Sequence, residues 1–413
     1  MAKSGSRTTA EFKGNPLLTV LRDILLICCG CSIVYYVLAT VAGLVFSKRA
    51  KQVQRSKGAS EPPGLFSEWS SEWPSVTLVK PLHGYDENLE FNLRSFMELD
   101  YPKKEYLFGI TSEDDPALRA LDEIKRAYPD AKITLTVGDE ASTNRKVGKL
   151  LRMLRQPPES EILVISDADV RVDRDYLRQI VGELESDKKI GMVTCVYKGI
   201  ALRGGLGARL EANFINTDFA PTAILSNFLE PMRHAFASTV AVRQSTLREV
   251  GGLDAVKNSY GDDFALARRV ASAGYKIRLS SSIVMMVTEK MPFRDFWDHQ
   301  MRWAMVDRKI RPISQARMLI NGPFWALALF LASGFAWPWI AMALVTVAAR
   351  LGMTALTQRR VLRLPIRFLD LLLTPLKDFL MQVIWIRSLV GNTVEWRGRK
   401  LRLLPTGEME EVR

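Results

Sequence analysis

Glu161-Ile162-Leu163-Val164-Ile165-Ser166-Asp167-Ala168-Asp169-Val170 decides how the rest of the chain is read. The four residues from Ile162 to Ile165, after Glu161, have the apolar, branched character of a buried strand, and two carboxylates separated by one residue follow closely. Ligands of open α/β sheets bind beyond the carboxyl ends of the strands. Two carboxylates at that position suit a hard divalent cation, Mg²⁺ or Mn²⁺, which in turn grips a diphosphate. The competing reading is a solvated turn or helix N-cap, where aspartate is also common.

Outward from this stretch, strand and helix patterns alternate. Val76 to Val79 reads as a buried strand, and Leu89, Leu93, Phe96 and Met97 recur at helical spacing. Tyr106 to Ile110 is a strand, Ala117 to Tyr128 a helix, Ile133 to Val137 a strand and Val147 to Leu154 a helix. Such alternation predicts an α/β fold with a doubly wound, mostly parallel sheet over residues 75–290. There is no internal repeat and no low-complexity tract.

Both flanks are apolar. Of the 413 residues, 47% are hydrophobic and 25% charged, and the hydrophobic ones concentrate at the two ends. Ile24 to Phe46 carries no charge and is long enough to cross a bilayer, so residues 1–57 read as a transmembrane anchor with a basic flank. Lys48, Arg49, Lys51, Arg55 and Lys57 follow it, against Lys3, Arg7, Lys13 and Arg22 before it, which places the downstream side in the cytosol. Residues 58–74 form a linker rich in Ser, Glu, Pro and Gly. Residues 291–318 read as amphipathic interface helices. Leu319 to about Leu356 suits two short crossing helices, broken near Gly334 and Trp337-Pro338. Phe368 to Val390 is also apolar but holds Asp370, Lys377, Asp378 and Arg387, which suggests an interfacial or re-entrant helix against the catalytic domain. A basic tail, Trp396 to Arg402, closes the 319–413 region. The net charge of +12 lies largely beside hydrophobic segments, which favours a membrane surface over nucleic acid. Four cysteines show no paired metal spacing and no disulfide framework.

Other residues could carry chemistry. Asp114-Asp115-Pro116 follows a strand; it either begins a helix or hydrogen-bonds a nucleotide. Asp262-Asp263 reads as helix N-terminal acids or as a general base. His299-Gln300-Met301-Arg302-Trp303 is either a plain interfacial helix or supplies Arg302 to a leaving diphosphate, with Trp303 packing the site shut. Lys80, at the end of the first strand, and Lys146, at a helix start, could each meet phosphate. His83, His234 and His299 form no recognisable metal set.

Taken in order, these strings resemble the membrane glycosyltransferases typified by ceramide glucosyltransferase, a family whose bacterial relatives include hopanoid-biosynthesis glycosyltransferases. The strings are Lys80-Pro81-Leu82-His83-Gly84, Leu99-Asp100-Tyr101-Pro102, Asp114-Asp115-Pro116, Asn144-Arg145-Lys146-Val147, Ser166-Asp167-Ala168-Asp169, Asp262-Asp263 and Arg302-Trp303. The resemblance runs from about Val76 to Trp303 and returns at Trp396-Arg397-Gly398. It implies a GT-A-like fold, a UDP-sugar donor, a divalent cation, inversion at the anomeric carbon, and a cytosolic site against the membrane, in bacteria the inner membrane. It also implies that Asp115 contacts the nucleotide, that Asp167 and Asp169 hold metal and diphosphate, that Asp263 is the base, and that Arg302 and Trp303 end the (Gln/Arg)-x-x-Arg-Trp signature. His299 stands where that signature has Gln or Arg. Asn216-Thr217-Asp218-Phe219-Ala220-Pro221 resembles bacterial members more than animal ones.

The leading expectation is transfer of glucose from UDP-glucose to ceramide. Rivals are a UDP-N-acetylglucosamine or other UDP-sugar donor with a hopanoid or other lipid acceptor, a processive polysaccharide synthase, and a non-catalytic membrane scaffold or lipid-binding protein. The small C-terminal membrane part argues against the synthase.

Overall fold

The computed structural model describes residues 16–56, 73–203, 205–311, 319–396 and 398–412. Lys3, Arg7, Lys13, Lys57 and the expected linker as far as residue 72 lie outside these residues.

In chain order, α1 (Pro16–Ser56) precedes β1 (Val76–Pro81), α2 (Leu89–Met97), β2 (Lys104–Ile110), α3 (Ala117–Ala127), β3 (Ile133–Val137), α4 (Arg145–Met153) and β4 (Ile162–Ile165). Next come β5 (Val170–Arg171), α5 (Tyr176–Glu185), β6 (Ile190–Ala201), α6 (Leu206–Phe214), a π turn (Ile215–Phe219), α7 (Ala220–Leu229), β7 (Val240–Arg243) and α8 (Gln244–Glu249). Then follow α9 (Asp262–Ser272), β8 (Lys276–Thr288), α10 (Phe293–Ile310), α11 (Gly322–Ala332), α12 (Trp337–Leu356), α13 (Phe368–Ser388), β9 (Thr393–Trp396), β10 (Arg399–Leu403) and β11 (Met409–Glu411).

Eight strands form one sheet in the order β3-β2-β1-β4-β7-β6-β8-β5. The pairings β1/β2, β1/β4, β2/β3 and β6/β8 are parallel, and β4/β7, β6/β7 and β5/β8 antiparallel. The expected doubly wound, mostly parallel sheet is therefore present, with antiparallel insertions in its second half. β1 and β4 are buried almost throughout, as strands covered on both faces must be. The chain runs from β1 out to β2 and β3, then returns to β4 on the other side of β1. That reversal opens a crevice where β1 ends at Pro81 and β4 at Ile165.

One close approach shapes the second half. A side chain on Gly199 of β6 would place its Cβ 2.7 Å from the Cα of Ala212 in α6. Glycine lets the helix settle on the strand. The Asn216 amide then pairs with the Gly199 backbone in both directions, at 2.9 Å each, and fixes the π turn to the sheet.

The apolar flanks form a helical block in which α1 packs on α7, α11 and α12, while α13 packs on α6 and α10. The turn between α11 and α12 passes through Gly334 and Phe335 at positive φ, where the sequence breaks its apolar run. Among the described residues two helices, Pro16–Gln52 and Trp337–Val361, are long and apolar enough to cross a membrane. α13 is turned inside out: Leu369, Leu372, Leu376, Val383 and Ile386 face outward, and Lys377, Asp378 and Gln382 are buried. The buried charges are paired. Arg350 of α12 donates to both Asp378 oxygens (2.9 and 2.8 Å), to Asp218 (3.1 and 3.2 Å) and to the Thr217 carbonyl (2.8 Å). Lys377 bridges Asp218 and Asp378.

Removing one partner of a buried pair strands the other charges, which typically costs about 3–5 kcal/mol. Arg350→Leu is expected to destabilise the protein by that amount, measured as a lowered thermal midpoint in detergent. A midpoint equal to the parent's would show that the cluster contributes little.

Candidate active site

A cavity of about 600 Å³ opens beyond the ends of β1 and β4. Asp167, Asp169, Lys146, Asp263, Arg302 and Trp303 all reach its wall, together with Asp262 and His299. These residues come from the β4 loop, the start of α4, the start of α9 and the middle of α10.

Lys146 joins two of these segments. Its ammonium lies 2.6 Å from Asp167 Oδ1 and 3.7 Å from Asp262 Oδ2. Burial opposes its charge, but Asp167 and Asp262 outweigh burial and hold it protonated well above the ordinary lysine range. Asn144 caps α4, its side-chain oxygen accepting from Lys146 N (3.1 Å) and Val147 N (3.3 Å). The same amide donates to the Ser259 carbonyl at 2.9 Å, and so ties α4 to the loop before Asp262.

Asp169 and Asp263 are both pushed up to about 6. Burial is the larger cause in each, followed by the adjacent carboxylate, Asp167 for Asp169 and Asp262 for Asp263.

Two residues proposed from sequence do not reach the cavity wall. Lys80 is fully buried; its ammonium donates to the Asp167 carbonyl at 2.8 Å and lies 3.6 Å from the Phe96 ring centroid. Burial brings it down to about 7, against the pull of Asp167 and Asp169. It braces the acidic turn from behind. Asp115 accepts from Gly84 N (2.8 Å) and Ala117 N (3.0 Å), and its other oxygen is 3.5 Å from His83 Nδ1. It shapes the His83-Gly84 loop, and that loop forms part of the wall.

The model of glycosyl transferase family 21 matches residues 31–409. The chain belongs to glycosyl transferase family 21. It is 25% identical to ceramide glucosyltransferase 1 of Caenorhabditis elegans over 353 residues, 80% of this chain and 72% of that protein. It is 26% identical to ceramide glucosyltransferase 3 of the same organism over 234 residues, 56% of this chain and half of that protein. Among solved structures, a mannosyltransferase from Pyrobaculum calidifontis in complex with GDP-Man and Mn²⁺ aligns with 88% of this chain and 99% of its own, at 20% identity and TM-score 0.48. By family, the chain is a glycosyltransferase.

In this family-21 chain the residues present fit a divalent cation at Asp167 and Asp169. Asp169 Oδ1 is buried and has no hydrogen-bond partner. Among the described residues no cluster of three or more His, Cys, Asp or Glu side chains makes a complete cage. Two carboxylates are a donor set through which Mg²⁺ commonly binds when phosphate and water complete its shell.

Several cavity residues have no local signal in sequence. Tyr197 stacks on Phe219 (4.1 Å between centroids), and Phe219 meets Phe236 edge-on (4.8 Å), making an aromatic wall. Glu211, 1% exposed, lies 3.0 Å from His299 Nδ1 and accepts from Gln300 at 2.8 Å. The His299 ring is 4.5 Å from that of Trp303.

The basic tail also contributes. It folds into the antiparallel sheet β9–β11, and Val394, Trp396, Leu403 and Met409 line the cavity. Arg302 lies over the Trp396 ring at 5.6 Å. Met409 N donates to the Asn258 carbonyl (2.9 Å), and Tyr260 N to the Gly407 carbonyl (3.3 Å). Asn258 Oδ1 accepts from both Thr143 N and Thr143 Oγ1 at 3.1 Å. The tail, the loop before Asp262 and the start of α4 thus form one clamp. Asn258→Ala is expected to lower kcat at least tenfold through misplacement of the acidic loop, with a melting temperature within a few degrees of the parent. Steady-state rates and a thermal melt on the same preparation check this.

Proposed function

We propose that this glycosyltransferase moves glucose from UDP-glucose to the primary hydroxyl of ceramide, giving a β-glucosyl lipid at the cytosolic face of a membrane, in bacteria the inner membrane. The observation that carries the reading is the gathering of Asp263, the Asp167–Asp169 pair, Lys146 and Arg302 on one cavity beside the apolar helices. The outward apolar faces of α1, α11, α12 and α13 support a lipid setting. Relatives named ceramide glucosyltransferases favour this acceptor class.

In the proposed reaction Asp263 takes the proton of the acceptor hydroxyl. The hydroxyl oxygen bonds to the anomeric carbon on the face opposite UDP. The bond from that carbon to the β-phosphate oxygen breaks, and its electron pair leaves with UDP. A single displacement inverts the configuration and needs no covalent intermediate. Arg302 and Lys146 offset the charge that develops on the diphosphate. Trp303 and Phe214, with ring centroids 6.2 Å apart, give the cavity an apolar wall beside the acceptor. A divalent cation held by Asp167 and Asp169 would add charge neutralisation at the same diphosphate.

Membranes containing the protein, given labelled UDP-glucose or UDP-N-acetylglucosamine, Mg²⁺ or Mn²⁺, and ceramide or a hopanoid-containing lipid extract, test this directly. Labelled β-glucosylceramide, identified by mass, is expected. A labelled hopanoid would replace donor and acceptor and keep the site roles. No labelled lipid from well-folded protein would remove the reading.

Asp263→Asn should cut transfer by about 10²–10⁴-fold and leave UDP affinity, measured by calorimetry, within about twofold. Full transfer by that variant would end the assignment of the base. Because Asp263 sits near 6, its base form is complete above about pH 7 and lost as pH falls through 6. Initial rates between pH 5 and 8 should show an acid limb there, falling about tenfold per unit below it.

A further inference from the structure

Beside the catalytic cavity lies a second, of about 50 Å³, walled by Tyr35 and Tyr36 of α1, Asp218 of the π turn, Thr222 of α7, Arg350 of α12 and Asp378 of α13. The two cavities share Phe214 and Met381 as walls. The π turn serves both, because Phe219 faces the catalytic cavity and the preceding residue, Asp218, faces the smaller one. π turns inserted in helices recur at functional sites.

The charges here are unequal in their access. The side chains of Arg350, Lys377 and Asp378 are 3%, 0% and 4% exposed, whereas that of Asp218 keeps 34%. Asp218 is thus the member of the ion cluster that a bound molecule can touch. Tyr35 OH and Thr222 Oγ1, 2.7 Å apart, add two hydroxyls to the same wall. With Arg350 and Lys377 already paired to the carboxylate, a cationic ligand gains little; a neutral O–H or N–H donor fits better. The volume admits a polar group the size of a few water molecules, not a sugar or an acyl chain. Around the site, the outer faces of α1, α11 and α13 are apolar, for example Val34, Val37, Leu327 and Leu376.

We infer that this smaller cavity is the headgroup subsite of the lipid acceptor, where an amide N–H or a second hydroxyl of the lipid donates to Asp218. The reacting hydroxyl of the same molecule passes Phe214 and Met381 towards Asp263, and the hydrocarbon lies along the apolar helices. The inference rests on the proposed lipid glycosyl transfer and names the acceptor chemistry that site selects: a neutral donor group close to the glycosylated hydroxyl.

The test uses the full chain in detergent micelles with hexanoyl-ceramide and, separately, a hopanoid polyol. Thr222→Val, Tyr35→Phe and Asp218→Asn are compared with the parent for acceptor KM, donor KM and UDP affinity. The expected result is an acceptor KM raised at least tenfold in all three variants, with donor KM and UDP affinity within twofold. The lipid that shows the shift identifies the source of the donor group. Thr222→Val and Tyr35→Phe leave the ion cluster intact, so they decide the matter if Asp218→Asn melts early. A purely structural role would lower stability or kcat without separating acceptor KM from donor KM. If the parent glycosylates either lipid and all well-folded variants keep its acceptor KM, the subsite is overturned and the function stands. If the parent glycosylates no lipid, the function falls and the subsite with it.

Discussion

Lys146 is the point on which the acidic site turns. Asp167, Asp169, Asp262 and Asp263 all reach one cavity, and unit charges about 4 Å apart interact by about 4 kcal/mol in a setting of intermediate polarity. The Lys146 ammonium between Asp167 and Asp262 relieves part of that repulsion, and burial together with the adjacent carboxylate pushes Asp169 and Asp263 up. Asn144 makes the placement possible, since one side chain both caps α4 and anchors the facing loop.

The helical block solves a different electrostatic problem. Charged residues in an apolar helix are costly unless paired. α13 turns its charges inward to meet Arg350 and the π turn, and leaves its apolar side chains outside. The charges that suggest an interfacial or re-entrant helix are buried and paired, while the apolar side chains of the same helix lie outside. The same cluster fastens α12 and α13 to the π turn through Thr217 and Asp218, so the helical block and the eight-stranded sheet share one polar joint.

Local patterning carried much of this into view. Ile133–Val137 is strand over the residues the alternation predicts, a helix begins at Ala117, and the helix beginning at Leu89 buries the positions that recur at helical spacing. The acidic strand end, Asp263 and the Arg302-Trp303 pair were legible because each sits in a motif of residue types matched to phosphate or proton chemistry. Lys80 and Asp115 lie behind the cavity wall, and nothing in a strand-end lysine tells whether it points at a ligand or at the back of a neighbouring turn. The aromatic wall, Glu211 opposite His299 and the tail sheet depend on contacts between distant segments. Val394, Leu401, Leu403 and Met409 bury one face of three short strands, too little periodicity to stand out beside so many basic residues.

The clamp by β11 gives the site a place in time. The Gly407 carbonyl accepts from the hydroxyl of Ser259, 148 residues earlier, and α11, α12 and α13 lie between them. At synthesis rates of about 5–20 residues per second, the ribosome needs roughly 7–30 s to travel that distance. Throughout that interval the nascent chain carries its acidic loops without the strand that fixes them. Catalytic competence thus arrives only after the helical block has been made, so an unfinished polypeptide holds no assembled site with which to consume donor.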